Sequence, residues 1–85
     1  MKLAVTWRSP ARRELRRLDP PERRRVITAV ERFAETGEGD IRRLTGVPPP
    51  QNRLRVGPWR VRFTVDRQAG TLHVLHVLPR GKAYR

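Results

Sequence analysis

Alternation of apolar and polar residues predicts four strands along the chain. Near the amino end, Leu3, Val5 and Trp7 alternate with polar or small residues, as expected of a strand with one buried face. Further runs with strand character follow in the second half, at residues 53–57, 59–66 and 71–78. The turns that join these runs are short, so the three later strands should be antiparallel neighbours.

A first helix should follow the amino-terminal strand. Ser9 is a suitable N-cap residue, and Pro10 suits the first helical position because its missing N–H is not needed there. Three apolar residues then recur at helical spacing, namely Ala11, Leu15 and Leu18. Their spacing indicates one buried stripe on a helix that is otherwise rich in arginine.

A second helix is predicted from about Pro20 to Thr36, at a tight corner after the first. Asp19 and Glu22 have the spacing of a capping box, and Gly37 is a natural stop. The apolar stripe of this helix consists of Val26, Ile27, Val30, Phe33 and Ala34. Residues 37–51 contain several glycines and prolines and are predicted to be a loop anchored by Leu44.

This order predicts a single α+β domain, residues 1–85, with β-α-α-β-β-β topology and a mainly antiparallel four-stranded sheet. On the strand 59–66, Trp59, Val61 and Phe63 share one face, which should pack on the helical hairpin. The opposite face should be open and basic, with arginines at positions 53, 55, 60 and 62. Such a face suits phosphate groups.

Net charge points to a polyanionic partner. The formal charge is +12, and residues 51–85 carry eight Lys or Arg against Asp66 alone, which is 8 − 1 = +7. The chain has no cysteine, which excludes disulfides and Cys-based metal or redox sites and fits a cytoplasmic protein. No apolar run approaches the length of a membrane span, so we expect neither secretion nor membrane insertion.

The two histidines do not indicate a metal site. His73 and His76 are three residues apart, and on a regular strand such residues point to opposite faces, so both are interpreted as structural. We therefore expect no metal and no cofactor. Among the arginines, Arg62 and Arg67 are interpreted as solvated charges near the strand edges, and the helix arginines as a solvated face.

Four segments, in this order and spacing, resemble the toxins of the RelE/ParE superfamily of bacterial type II toxin–antitoxin systems. They are S-P-A-R-R-E-L-R-R-L at 9–18, L-T-G at 44–46, R-L-R-V-G-P-W-R-V-R-F-T-V at 53–65 and P-R-G-K-A-Y-R at 79–85. The resemblance covers nearly the whole chain and is closer to the RelE branch. It implies the same β-α-α-β-β-β fold.

The resemblance also implies an activity. RelE-type toxins cut messenger RNA in the ribosomal A site without a metal, by attack of a ribose 2′-hydroxyl on the adjacent phosphate. Carried over to this sequence, Arg60 would clamp the scissile phosphate, Arg80 would be the second catalytic arginine, and Tyr84 would stack on a base and exchange the proton. Arg53, Arg55 and Lys82 would bind the RNA. Arginine cannot serve as a base, which leaves Tyr84 as the local candidate.

Two alternatives keep the fold and change the function. One is a ParE-type inhibitor of DNA gyrase, and the other is an inactive family member that only binds its antitoxin or nucleic acid. The implied partners are a cognate antitoxin, acidic and partly helical, together with the ribosome and mRNA. Contact with DNA is expected only through an antitoxin complex.

Overall fold

A computed structural model describes residues 2–44, 46 and 50–82 of the chain. Within these ranges the strands are β1 (Ala4–Trp7), β2 (Asp40–Leu44), β3 (Gln51–Val56), β4 (Trp59–Asp66) and β5 (Thr71–Pro79). The helices are α1 (Ser9–Arg16), α2 (Pro20–Thr36) and a short 3-10 helix, η1 (Arg80–Lys82). Neither α-helix combines the length and the apolar character that crossing a membrane requires.

The strands form one mixed sheet in the order β1-β5-β4-β3-β2. β1 runs parallel to β5, and the remaining neighbours are antiparallel. The helical hairpin is the crossover that a parallel β1–β5 pair requires. The predicted α+β class and the order of the predicted elements are confirmed.

One strand was missed. The segment predicted to be a loop contains β2, which pairs with β3 at the edge of the sheet, so the sheet has five strands and not four. The sequence of β2, D-I-R-R-L, has one apolar residue on its buried face, Ile41, which packs against the core. Charged edge strands give a weak apolar period, and charge at an edge discourages pairing with other chains. Ile41, and not Leu44, therefore anchors this segment.

The hydrophobic core lies between the sheet and the helical hairpin. Leu54 of β3 and Val61 of β4 are buried cross-strand partners, and Phe63 is 1% exposed. The rings of Phe33 and Phe63 lie 5.2 Å apart between centroids, tilted by 56°. The predicted inward face of β4 is therefore confirmed, and its other face is free of the helices.

The helix ends differ in detail from the prediction. α1 already includes Ser9, and the N-cap residue is Arg8, without a side-chain cap. α2 has the predicted bounds and ends at Gly37, whose φ of 79° lies in the left-handed region that favours glycine. The predicted capping box is wrong, because Asp19 makes no side-chain cap and Glu22 Oε2 accepts a hydrogen bond from Trp59 Nε1 at 2.7 Å. Trp59 is thereby tied to the helical hairpin.

A β-bulge interrupts β5 and changes the sheet face on which one of the two histidines lies. Arg62 pairs with His76, whereas the next residue, Phe63, pairs with Val74, so Leu75 is an extra residue. His73 and His76 consequently lie on the same face, and the prediction of opposite faces is wrong. Their partners are protein side chains: Thr6 Oγ1 lies 2.7 Å from His73 Nδ1, and Glu14 Oε1 lies 3.2 Å from His76 Nδ1. No metal-binding group of three or more His, Cys, Asp or Glu occurs in the described ranges.

Glu14 also closes the edge of β5 beyond the end of β1. β1 pairs with β5 only as far as Val74, which leaves later backbone groups of β5 without a strand neighbour on that side. The Val77 N–H donates to Glu14 Oε1 at 3.0 Å. A side chain of α1 thus replaces the missing strand at this position.

Candidate functional site

The sheet face opposite the helices carries two rows of side chains across four strands. In the antiparallel registers, one row consists of Asp40, Arg55, Arg60 and Leu78. The next row consists of Arg42, Arg53, Arg62 and His76. Neighbouring strands are about 4.8 Å apart, so cationic groups of different strands are within reach of one ligand.

A cavity of about 470 Å³ opens on this face, and we call it the arginine groove. It is lined by Asp40, Arg42, Arg53, Arg55, Arg60, Arg80 and Gly81. Arg53 and Arg60 are buried and form its floor, whereas the other four charged residues are exposed at its rim. Five arginines and one carboxylate give the groove a strongly positive potential, which attracts anions.

Arg60 is held in place by the backbone of the β3–β4 turn. Its Nη1 donates to the carbonyl oxygens of Gly57 at 2.8 Å and of Trp59 at 3.0 Å. The turn can supply these acceptors because Gly57 has a φ of 56°, which places its carbonyl in a tight corner. The Nε and Nη2 groups of Arg60 remain for a two-point contact with an anion.

Arg53 is a buried cation of the groove with an incompletely satisfied guanidinium. Its side chain is 9% exposed, and its Nη2 lies 3.9 Å from Asp40 Oδ1, which is too long for a hydrogen bond. Its Nε is buried and has no hydrogen-bond partner among the described residues. A buried donor without an acceptor costs about 1–3 kcal/mol, so the fold keeps Arg53 here at the expense of stability.

Arg80 reaches the groove from the far end of the chain. Its backbone N–H donates to the carbonyl of Pro58 at 3.0 Å, which fixes η1 against the β3–β4 turn. Arg60 and Arg80, twenty positions apart in the sequence, therefore line the same cavity. Tyr84 and the side chain of Lys82 lie outside the described part of the structure.

Two arginines that were interpreted as bystanders lie outside the groove, and two residues that were not predicted lie in it. The interpretation of Arg62 as a solvated edge charge is wrong, because β4 is the central strand and the Arg62 Nε is buried without a hydrogen-bond partner among the described residues. Its Nη2 donates to Gln51 Oε1, and Arg62 does not line the groove. Arg67 is exposed in the turn after β4. Asp40 and Arg42 line the groove but were missed, because their segment was predicted to be a loop. Their alternation with Ile41 was the only available signal.

Comparison with protein families decides the identity of the chain. Residues 5–84 match the family model described as ParE toxin of type II toxin-antitoxin system, parDE. The chain belongs to this toxin family. No curated protein matches this toxin.

Solved structures of similar fold are toxin–antitoxin complexes. The toxin superposes on the archaeal RelE-RelB complex from Pyrococcus horikoshii OT3 with a TM-score of 0.80 at 23% identity, covering 98% of this chain and 100% of that one. For the RelBE2 complex from Mycobacterium tuberculosis the TM-score is 0.83 at 20% identity, with 96% and 95% covered. For RelB-RelE from Methanococcus jannaschii it is 0.74 at 21% identity, with 94% and 95% covered. The toxin therefore has the RelE-like fold.

Proposed function

We propose that this toxin is a ribosome-dependent endoribonuclease that cuts mRNA in the A site and thereby inhibits translation. The observation that carries the proposal is Arg53, a buried guanidinium with an unpaired Nε on the floor of a groove lined by four further arginines. The groove holds five arginines and one carboxylate, so most of its positive charge has no carboxylate partner there. Such a groove suits a ligand that supplies several phosphates.

The chemistry follows from the groups at the groove. Attack of a 2′-hydroxyl on the adjacent phosphate builds negative charge on the phosphorane, and fixed guanidinium groups stabilise that charge without a metal or another cofactor. Arg60, held by two carbonyls, is preorganised for this role, and Arg80 would be the second catalytic arginine. Arg53, Arg55 and Lys82 would bind flanking phosphates. Tyr84 would stack on a base and take part in proton transfer.

Inhibition of DNA gyrase is the second candidate. The matching family model bears the ParE name, and one amino group of Arg60 is already engaged by the backbone. Both observations are compatible with a groove that binds a protein surface. An inactive member that binds only antitoxin or nucleic acid would give neither activity.

The proposed protein partner is a cognate antitoxin. The solved structures of similar fold contain RelB bound to RelE, and the charge of +12 calls for an acidic partner. We expect an acidic, partly helical segment to cover basic surface of this toxin in the cytoplasm, where its ribosomal target is located. Any contact with DNA would be made through that complex.

Mapping of mRNA ends in a reconstituted translation reaction tests the proposal. Wild-type toxin should produce new 5′ ends within A-site codons, whereas Arg55→Ala and Arg80→Ala should reduce the cuts at least tenfold. Arg67→Ala is the matched control, because it removes an exposed arginine that does not line the groove. In a parallel assay, gyrase-linked DNA breaks without mRNA cuts would support the second candidate and refute the first.

A further inference from the structure

Asp40 is the one carboxylate at the arginine groove among the described residues that line it. It is the first residue of β2, the strand that the sequence did not predict, and it stands opposite Arg55 in the β2–β3 register. Its side chain is 60% exposed, so a bound ligand can reach it.

The carboxylate forms an ion pair with Arg53 but no hydrogen bond to it. The contact between Asp40 Oδ1 and Arg53 Nη2 is 3.9 Å long, beyond hydrogen-bond distance. Glu38, two residues earlier, differs in this respect, because its Oε2 accepts from Arg32 Nη2 at 2.7 Å. Asp40 therefore keeps oxygen lone pairs available toward the groove, whereas Glu38 is satisfied elsewhere.

The proposed cleavage requires a proton acceptor, and the guanidinium groups at the groove cannot provide one. We propose that Asp40 is a catalytic residue of this toxin, the general base that takes the proton of the attacking 2′-hydroxyl. This inference rests on the proposed endoribonuclease function; it assigns the 2′ proton to Asp40 and leaves Tyr84 the stacking role.

Asp40 takes the 2′-hydroxyl proton, the 2′ oxygen forms a bond to phosphorus, and the bond from phosphorus to the 5′ oxygen breaks. The products are a 2′,3′-cyclic phosphate and a 5′-hydroxyl that receives its proton from solvent. Arg53 and Arg60 on the floor of the groove would hold the phosphate beside the carboxylate at its rim.

The arrangement also predicts how Asp40 affects binding. A carboxylate repels RNA phosphates, so Asp40→Asn, which raises the formal charge from +12 to +13, should bind RNA as tightly as wild type or more tightly. A role of Asp40 in positioning Arg53 alone predicts a different change in RNA binding. If Asp40 served only to position Arg53, its loss would weaken RNA binding together with cleavage.

The test uses ribosomes programmed with a defined mRNA and measures two quantities for the full-length toxin. The first is the single-turnover cleavage rate at saturating toxin. The second is binding to the same complex with an uncleavable 2′-deoxy nucleotide at the cut site. The variants are Asp40→Asn, Asp40→Glu and the control Glu38→Gln, which removes the same charge from a residue outside the groove.

We expect Asp40→Asn to lower the saturating cleavage rate by about 100-fold or more with undiminished binding, as loss of general-base catalysis does. Asp40→Glu should recover part of the rate, and Glu38→Gln should behave as wild type. Less than a tenfold loss for Asp40→Asn, or an equal loss in binding, overturns the assignment of Asp40 while leaving the nuclease proposal intact. A wild-type toxin that makes no A-site cuts overturns both.

Discussion

Replacing Arg53 with methionine separates the contribution of this residue to stability from its contribution to RNA binding. Methionine retains an unbranched apolar side chain that extends to the position of the arginine Nε, and it removes the guanidinium. In the folded toxin the Arg53 Nε is buried without a partner, and an unsatisfied buried donor costs about 1–3 kcal/mol. The 3.9 Å contact with the exposed Asp40 offsets little of this cost. We therefore expect Arg53→Met to be as stable as wild type or more stable, by up to about 2 kcal/mol.

The same substitution should weaken RNA binding. A hydrogen bond from a charged donor contributes about 1.5–3 kcal/mol, which corresponds to a roughly 10- to 150-fold higher Kd. Because one phosphate contact is lost, the slope of log K against log salt should decrease by about 0.7 for single-stranded RNA. Stability and binding should thus change in opposite directions.

Urea unfolding measures the first quantity, and fluorescence anisotropy with a labelled single-stranded RNA at several salt concentrations measures the second. Arg67→Met is the matched control, since it removes the same charge from an exposed turn outside the groove. A loss of more than about 1 kcal/mol of stability for Arg53→Met, with an RNA affinity equal to that of the control, would contradict this prediction. Arg53 would then be a structural residue.

Three further substitutions, with Gly81→Ala as a control, test the fold by thermal or urea unfolding. Val74→Ala should lower the free energy of unfolding by about 2 kcal/mol. Val74 is fully buried, and the substitution removes two methylene equivalents and leaves a cavity. Gly37→Ala should cost about 1–2 kcal/mol because of its left-handed φ of 79°, whereas Gly81→Ala should be nearly neutral in stability. Glu14→Ala should cost about 1–3 kcal/mol, since the Val77 N–H loses its acceptor; an unchanged midpoint would show that water replaces the carboxylate.

Most of the fold could be predicted because the apolar residues recur with clear helical or strand periods and because glycine and proline mark the helix end and the turn. α2 was predicted with its observed bounds, because its apolar stripe is long and Gly37 ends it in the expected left-handed conformation. The inward face of β4 followed from its strict alternation. The Gly57-Pro58 corner placed the β3–β4 turn, and the basic outer face of the sheet followed from these strands.

The errors arose where tertiary contacts override local pattern. β2 has one apolar residue on its inner face, so only pairing with β3 identifies it as a strand. No glycine in the sequence indicates the bulge at Leu75. The extra residue nevertheless brings His73 and His76 to the same face of the sheet, whereas a regular strand would place them on opposite faces. Glu22 has capping-box spacing, but it binds Trp59, a partner far away in the sequence.

The sequence predicted the arginines of the groove but neither their side-chain directions nor the carboxylate beside them. Arg53, Arg55, Arg60 and Arg80 do line one groove, although their catalytic and binding roles remain predictions. The direction of the Arg60 guanidinium toward the turn carbonyls could not be predicted, because a rotamer depends on acceptors that only the folded backbone supplies. Asp40 lies at the groove because β2 pairs with β3, and the sequence of β2 does not indicate a strand.

Removal of one oxygen atom from the substrate is the most direct test of cleavage through the 2′-hydroxyl. Ribosomes are programmed with two mRNAs that differ only in the 2′ substituent of the A-site nucleotide before the cut, and each is incubated with wild-type toxin. We predict cleavage of the 2′-hydroxyl mRNA, with a 2′,3′-cyclic phosphate end, and an intact 2′-deoxy mRNA. Cleavage of both mRNAs would contradict the 2′-hydroxyl mechanism, and cleavage of neither would contradict the endoribonuclease function itself.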